Sequence, residues 1–180
     1  MNRSTRSLTQ GAITGALTVI LILANQMTAN FLMSFIPLPL IIYGMEHGFK
    51  NSIITYVVCV LLVAIVPGDL PTTVLMITYG IVGLVYVMVV NKNISKTAKF
   101  IVVSLGNSIN YILLMYFFGT FFGLTLETTM LEIETFLKVT DPALIWILSI
   151  GIIVFTIILE TFIIFYSSQQ VKYMLERHRK

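Results

Sequence analysis

The sequence predicts an all-α, polytopic membrane protein: a compact bundle of six transmembrane helices with N- and C-termini in the cytoplasm. Three observations carry this prediction. The chain is 57% hydrophobic and 11% charged, with a mean hydropathy of +0.95, whereas a soluble domain carries about 25% charged residues. Charge this scarce leaves most of the surface to lipid. The apolar residues fall in six runs, at approximately 8–28, 31–45, 52–66, 72–90, 100–124 and 143–168. The basic residues are distributed between those runs as a membrane orientation requires. With no soluble segment, low-complexity tract or repeat, residues 1–180 read as one integral membrane domain.

Taken in order, the first run holds no Asp, Glu, Lys or Arg. As a helix it spans about 30 Å, the thickness of a bilayer's hydrocarbon core. Arg3 and Arg6 precede it and hold the N-terminus inside. A cleaved signal peptide fits poorly, because the run is too long and Ile22-Leu23-Ala24 lacks a small-x-small cleavage pattern. Gly11-Ala12-Ile13-Thr14-Gly15-Ala16 contains two small-xxx-small pairs, which lets another helix approach closely. That helix belongs either to this chain or to a partner.

The second run is short and interrupted by Pro37 and Pro39, and residues 46–50 read as a polar turn. The third run closes at Pro67-Gly68-Asp69-Leu70-Pro71, a loop signal. The fourth ends before a basic loop holding Lys92, Lys96 and Lys99. After the fifth comes an acidic, half-apolar segment at 125–142, read as a short amphipathic helix on the outer surface. The sixth is followed by a basic tail at 169–180.

Six crossings place Arg3, Arg6, Lys50, Lys92, Lys96, Lys99, Lys172, Arg177, Arg179 and Lys180 inside, ten of the 11 basic residues. Lys138 alone lies outside, with Asp69, Glu127, Glu132, Glu134 and Asp141. If 31–45 did not cross, the parity would flip and both basic stretches would lie outside.

Polar side chains within membrane helices are costly unless partnered, so function is sought among them. Thr72, Met76, Tyr79, Gly83 and Tyr86 share a face of the fourth span. Asn107, Asn110, Tyr111, Leu114 and Phe118 share one on the fifth, and Trp146, Ser149, Ile153, Thr156 and Glu160 one on the sixth. Two readings stay open: interhelical glue, or a polar-aromatic cavity opening outward and binding a small solute. In the second reading Asn30, Thr72, Tyr79, Asn107, Asn110, Tyr111, Trp146 and Ser149 bind the solute. Trp146 also suits an interfacial anchor. Glu160 could pair with a cation, join helix-to-helix hydrogen bonds, or relay protons.

Motifs for other chemistries are absent. There is no GxxxxGK[ST], HExxH or GxSxG, and no second catalytic group stands beside Glu160. The chain is expected not to be an enzyme, with no cofactor and no metal. His47 and His178 fall in turns or tails, and Cys59 has no partner for an internal disulfide. The basic residues are spread over short loops, which gives nucleic acid no footprint.

Six spans in 180 residues, the early small-xxx-small face, the short proline-containing second span and the long fifth loop together resemble the substrate-binding S components of energy-coupling factor vitamin importers. Ala12-Ile13-Thr14-Gly15-Ala16 is similar to the AxxxA motif that S components use for docking. The resemblance implies a bacterial plasma-membrane protein that captures a vitamin-like molecule outside, between loops 28–36 and 66–71 and the last three spans. It implies docking through Gly11, Ala12, Gly15 and Ala16 on a transmembrane coupling subunit with two ATPases, and toppling to deliver the cargo inward. No residue signature assigns the substrate. Pro37, Pro39 and the glycines at 44 and 48 also resemble a wider group of bacterial membrane proteins related to S components.

Overall fold

The computed structural model describes residues 3–178 except Ala29 and Asn91, and every regular element among them is helical. In lipid there is no water to satisfy the backbone, and a helix bonds its own amides and carbonyls within one segment.

α1 (Arg3–Met27) covers the first run. It ends at a pair of asparagines. Asn30, in the left-handed region at φ 67°, donates its amide to the Asn25 carbonyl at 3.0 Å and accepts from Asn25 Nδ2 at 3.0 Å. Asparagine tolerates this backbone better than most residues bearing a Cβ.

The second run, expected as one span over 31–45, is broken into a 3₁₀ turn (Met33–Phe35) and a ten-residue helix, α2 (Leu38–His47). Proline lacks an N–H and its ring clashes with the preceding turn, so it is accommodated only where a helix starts. Pro37 caps α2 and Pro39 lies in its first turn. Gly48, at φ 82°, turns the chain straight into α3 (Phe49–Ile65). The polar turn read at 46–50 is therefore two helix ends joined by one glycine.

α4 (Leu70–Val90) and α5 (Lys96–Phe122) follow. Ser95 Oγ caps α5 by accepting from the Ala98 amide at 3.1 Å, and Gly123, at φ 64°, closes it. The acidic segment folds as α6 (Leu126–Leu137), entered through a reciprocal Thr125–Thr128 capping box. α6 buries Ile133 and exposes Glu127, Glu132 and Glu134. α7 (Pro142–His178) has 37 residues and continues through most of the segment read as a tail.

Helix ends gather in two groups. At the first, Ser7 Oγ meets Tyr43 Oη at 3.0 Å, Gln10 reaches Glu46 at 3.4 Å, and Lys99 Nζ donates to the Val90 carbonyl at 2.7 Å. At the second, Gln26 Nε2 donates to Asp69 at 3.0 Å and to Thr72 at 2.7 Å. α1, the stretch 31–47, α3, α4, α5 and α7 thus run alternately between the two ends, with α6 lying against the start of α7.

Two apolar clusters fill the bundle. One, toward the second end, holds Ile22, Ile36, Cys59, Met76 and Leu114. The other, toward the first end, holds Ile41, Val82, Tyr86, Val103 and Ile164. The outer surface is also apolar: Leu17, Ile20, Leu61, Ile112, Phe155 and Phe162 are all exposed. Thr5–Met27, Leu70–Val90, Lys96–Phe122 and Pro142–Met174 are long and apolar enough to cross a bilayer, and α3 is an apolar helix of shorter length.

The tightest approaches are at Gly80, against Tyr56 of α3, and at Gly44. A methyl at Gly44 would overlap Val87 of α4 and Ser52 of α3. Overpacking a fitted contact costs about 1–3 kcal/mol. Gly44→Ala should lower unfolding stability in detergent by about that amount, while Ala16→Val, on an exposed face of α1, should leave it unchanged. Equal behaviour of the two variants would mean that α2 is not wedged as described.

Candidate functional site

Between the two apolar clusters lies a polar layer built from α4, α5 and α7. Glu160, 9% exposed, is its centre. Tyr79 Oη donates to Glu160 Oε1 at 3.1 Å, and Asn107 Nδ2 donates to Oε2 at 3.3 Å. Asn107 Nδ2 also lies 3.4 Å from both Thr161 Oγ1 and the Ile157 carbonyl. Tyr111, one turn along α5 from Asn107, is buried as well. Both groups hydrogen-bonded to Glu160 are neutral donors. Among the described residues, the carboxyl is held by hydrogen bonds from two other helices and not by an ion pair.

One turn nearer the second end, Asn110 is 4% exposed. Among the described residues, neither its Nδ2 nor its Oδ1 finds a hydrogen-bond partner, and Asn107 Oδ1 is in the same position. A buried amide left unpaired costs about 1–3 kcal/mol, so three orphaned atoms on one face of α5 demand an explanation.

The structure sorts the eight residues predicted to hold a solute. Tyr79, Asn107, Asn110 and Tyr111 come together. Thr72 is buried near the start of α4, where its amide (2.7 Å) and hydroxyl both donate to Asp69 Oδ1. Asn30 shapes the turn after α1 and joins Asn25, not the polar layer. Ser149 is buried, but its hydroxyl is used by the Ile145 carbonyl at 2.7 Å. Trp146 is 48% exposed and leaves the group. Trp146 lies on the same side of α7 as Ser149, Glu160 and Ile164 by helical period, but at the start of the helix it is Ile145 that is buried.

The polar faces of the last three spans meet in direct hydrogen-bonded contact at Tyr79, Asn107, Glu160 and Thr161. Cavities open elsewhere. One of about 350 Å³ lies where α4 ends and α5 begins, against α7. Another of about 570 Å³ lies between α1 and α3, reaching Ala12 and Tyr43. Neither is lined by Asn110 or Glu160.

The small residues of α1 do not act as one face. Gly11 faces Thr55 and Tyr43, and Gly15 is buried against Leu62. Ala12 and Ala16 are exposed. Each pair lies on one line at i, i+4, but the two lines are about 100° apart, so the stripe straddles the edge of the buried surface.

Residues 16–141 match the model of a family described as "Predicted membrane protein (DUF2232)". The chain belongs to that family. Membership and the long apolar helices together make it a helical membrane protein. The family segment runs from within α1 through α6 and includes Tyr79, Asn107 and Asn110, while Glu160 lies beyond it. No curated protein and no solved structure matches the chain.

Sequence reasoning missed Gln26, Asp69 and Thr161 as partners. The signal for Asp69 was available: an Asp three residues before Thr72 at a helix start is an N-cap arrangement. Partial burial raises the pKa of Asp69, but hydrogen bonds from the Thr72 hydroxyl and amide and from Gln26 outweigh it and hold the carboxyl below the usual aspartate value. Its contribution is therefore full above the unfolded pKa and is lost as pH falls through the lowered folded value. The stability gap between wild type and Asp69→Asn should be constant from about pH 7 to pH 5 and close below about pH 4; a gap that widens in acid would contradict the assignment.

At the polar layer, Glu160→Gln keeps one acceptor oxygen of the right shape, whereas Glu160→Leu strands the Tyr79 and Asn107 donors. Hydrogen bonds of this kind in membrane bundles are worth about 0.6–2 kcal/mol each. Thermal unfolding should show the Leu variant destabilised by about 1–3 kcal/mol and the Gln variant by less than about 1 kcal/mol.

Proposed function

We propose that the protein is a solute-binding membrane subunit without a motor of its own, comparable to the S component of an energy-coupling factor importer in a bacterial plasma membrane. In this reading the six alternating segments are six crossings and both termini are cytoplasmic. The charge distribution supports it: Arg6, Lys50, Lys92, Lys96, Lys99 and Lys172 cluster at the first end, and Asp69, Glu127, Glu132, Glu134 and Asp141 at the second.

The observation that carries the reading is Asn110. Its amide is desolvated, unpaired and adjacent to the Tyr79–Asn107–Glu160 contacts. A small vitamin-like molecule offering both a donor and an acceptor would supply its missing bonds. Entry requires the outer halves of α5 and α7 to part, with the polar layer as the floor. Ala12 and Ala16 are small and exposed beside a groove along α3, which suits the helix of a transmembrane coupling subunit serving two ATPases. The missing phosphate-binding loop agrees with that division of labour.

A second reading, a membrane scaffold with no solute, draws on the closed hydrogen bonding around Glu160. Asn110→Leu separates the two. Native mass spectrometry of the full chain in mild detergent should find a small organic molecule bound to wild type and absent from the variant. A vitamin panel at about 100 times the dissociation constant should add about 2.7 kcal/mol to wild type alone. A silent panel, with Asn110→Leu more stable than wild type, would favour the scaffold.

A further inference from the structure

We propose, building on the solute reading above, that the molecule held at the polar layer is an organic cation: a primary ammonium carried on an apolar or aromatic body. Asn107 Nδ2 has three oxygens around it, Glu160 Oε2, the Ile157 carbonyl and Thr161 Oγ1. Thr161 Oγ1 already donates to the Ile157 carbonyl at 2.8 Å, so it too meets the amide as an acceptor. Three acceptors fix which end of this amide is nitrogen, and the orphaned Asn107 Oδ1 is therefore an acceptor in want of a hydrogen. Asn110 adds one open acceptor and one open donor whichever way its amide is turned. An ionised carboxylate has about four acceptor positions, and Glu160 uses two of them, for Tyr79 and Asn107. Open acceptors outnumber open donors, and the ligand that balances them brings several hydrogens on one atom.

Charge leads to the same head group. Both side chains bonded to Glu160 are neutral, and among the described residues no ion pair reaches it. An ionised carboxyl at such a depth calls for a cation beside it. A protonated primary amine supplies the charge together with three N–H donors. Asn107 and Asn110 are 0% and 4% exposed and lie three residues apart, which sets their Cβ atoms about 5–6 Å from each other. Two acceptors sharing one ammonium at about 2.8 Å stand about 4.6 Å apart. The spacings match, so one nitrogen serves both asparagine oxygens and keeps a third hydrogen for Glu160.

The body of the molecule follows from what borders the layer. Met76, Tyr79 and Leu114 belong to the apolar cluster toward the second end, with Phe118 and Phe122 packed against it. Leu114 is one turn beyond Asn110 on the same buried face of α5. With the ammonium at the floor, the remainder lies among these side chains, and the thioether of Met76 adapts to its shape.

The test uses the full chain in a nonionic detergent. Butylamine, 2-phenylethylamine and tryptamine are titrated beside the alcohols of the same skeletons, butanol, 2-phenylethanol and tryptophol. Binding is read by native mass spectrometry and by the shift in unfolding midpoint. At least one amine should bind and stabilise wild type at concentrations where its alcohol does not. Glu160→Gln and Asn110→Leu should each weaken that amine about tenfold or more, and the two variants also control for amine dissolved in the detergent. Their midpoints without amine check that they fold, and the comparison of amine with alcohol on wild type stands without them. Equal binding of amine and alcohol, amine binding unchanged in Glu160→Gln, or silence of all three amines overturns the proposal. A neutral or anionic molecule found on wild type and lost from Asn110→Leu would overturn it while leaving the solute reading in place; silent amines with no molecule bound to wild type would take both.

Discussion

A carboxyl cannot sit in an apolar bundle without being told where to point. Among the described residues, Glu160 is the only acidic residue within the long apolar helices that is both buried and far from either end, and its two oxygens are claimed by different helices. Tyr79 fixes the distance from α7 to α4, and Asn107 the distance to α5. These bonds hold in an environment where water cannot substitute, so each sets a register and not merely a proximity. The apolar clusters on either side accept many packings; the polar layer between them accepts few.

That layer explains why so much of the rest is smooth. Hydrophobic burial does not distinguish a helix neighbour from a lipid tail, so membrane helices associate through close fit and scattered polar contacts. Here the fit is concentrated at Gly44 and Gly80, where Val87, Ser52 and Tyr56 press against bare backbone. α2 is too short to hold its place by length alone. It is held by lying between α3 and α4 at the glycine.

Much of this was legible beforehand, and the failures have definite causes. Length, charge asymmetry and apolar runs yield the helices because each is a property of one segment. The polar faces of α4 and α5 follow from a 3.6-residue period, and Thr72, Tyr79, Asn107, Asn110 and Tyr111 are all buried. Trp146 escaped because a helical period marks a side of the helix, and only the neighbours decide which residues on that side are covered. Gly11, Ala12, Gly15 and Ala16 were divided for the same reason. Pro37 and Pro39 announced a short second segment, but not that a turn and a helix would share it. Partners such as Gln26 with Asp69, 43 residues apart, are tertiary facts that no local pattern holds.

The length of α7 has a mechanical consequence. Beyond Ser168, which is still buried, the helix continues to His178 for about 15 Å as one unbroken rod. Its fulcrum is the packing of Ile164 and Phe165 against α2, α4 and α5. A tilt of about 10° at that pivot sweeps the distal tip through about 3 Å, so a slight rearrangement in that cluster emerges as a larger excursion at the protein's edge. A lever of this kind reports the state of its hinge to whatever rests against its far arm.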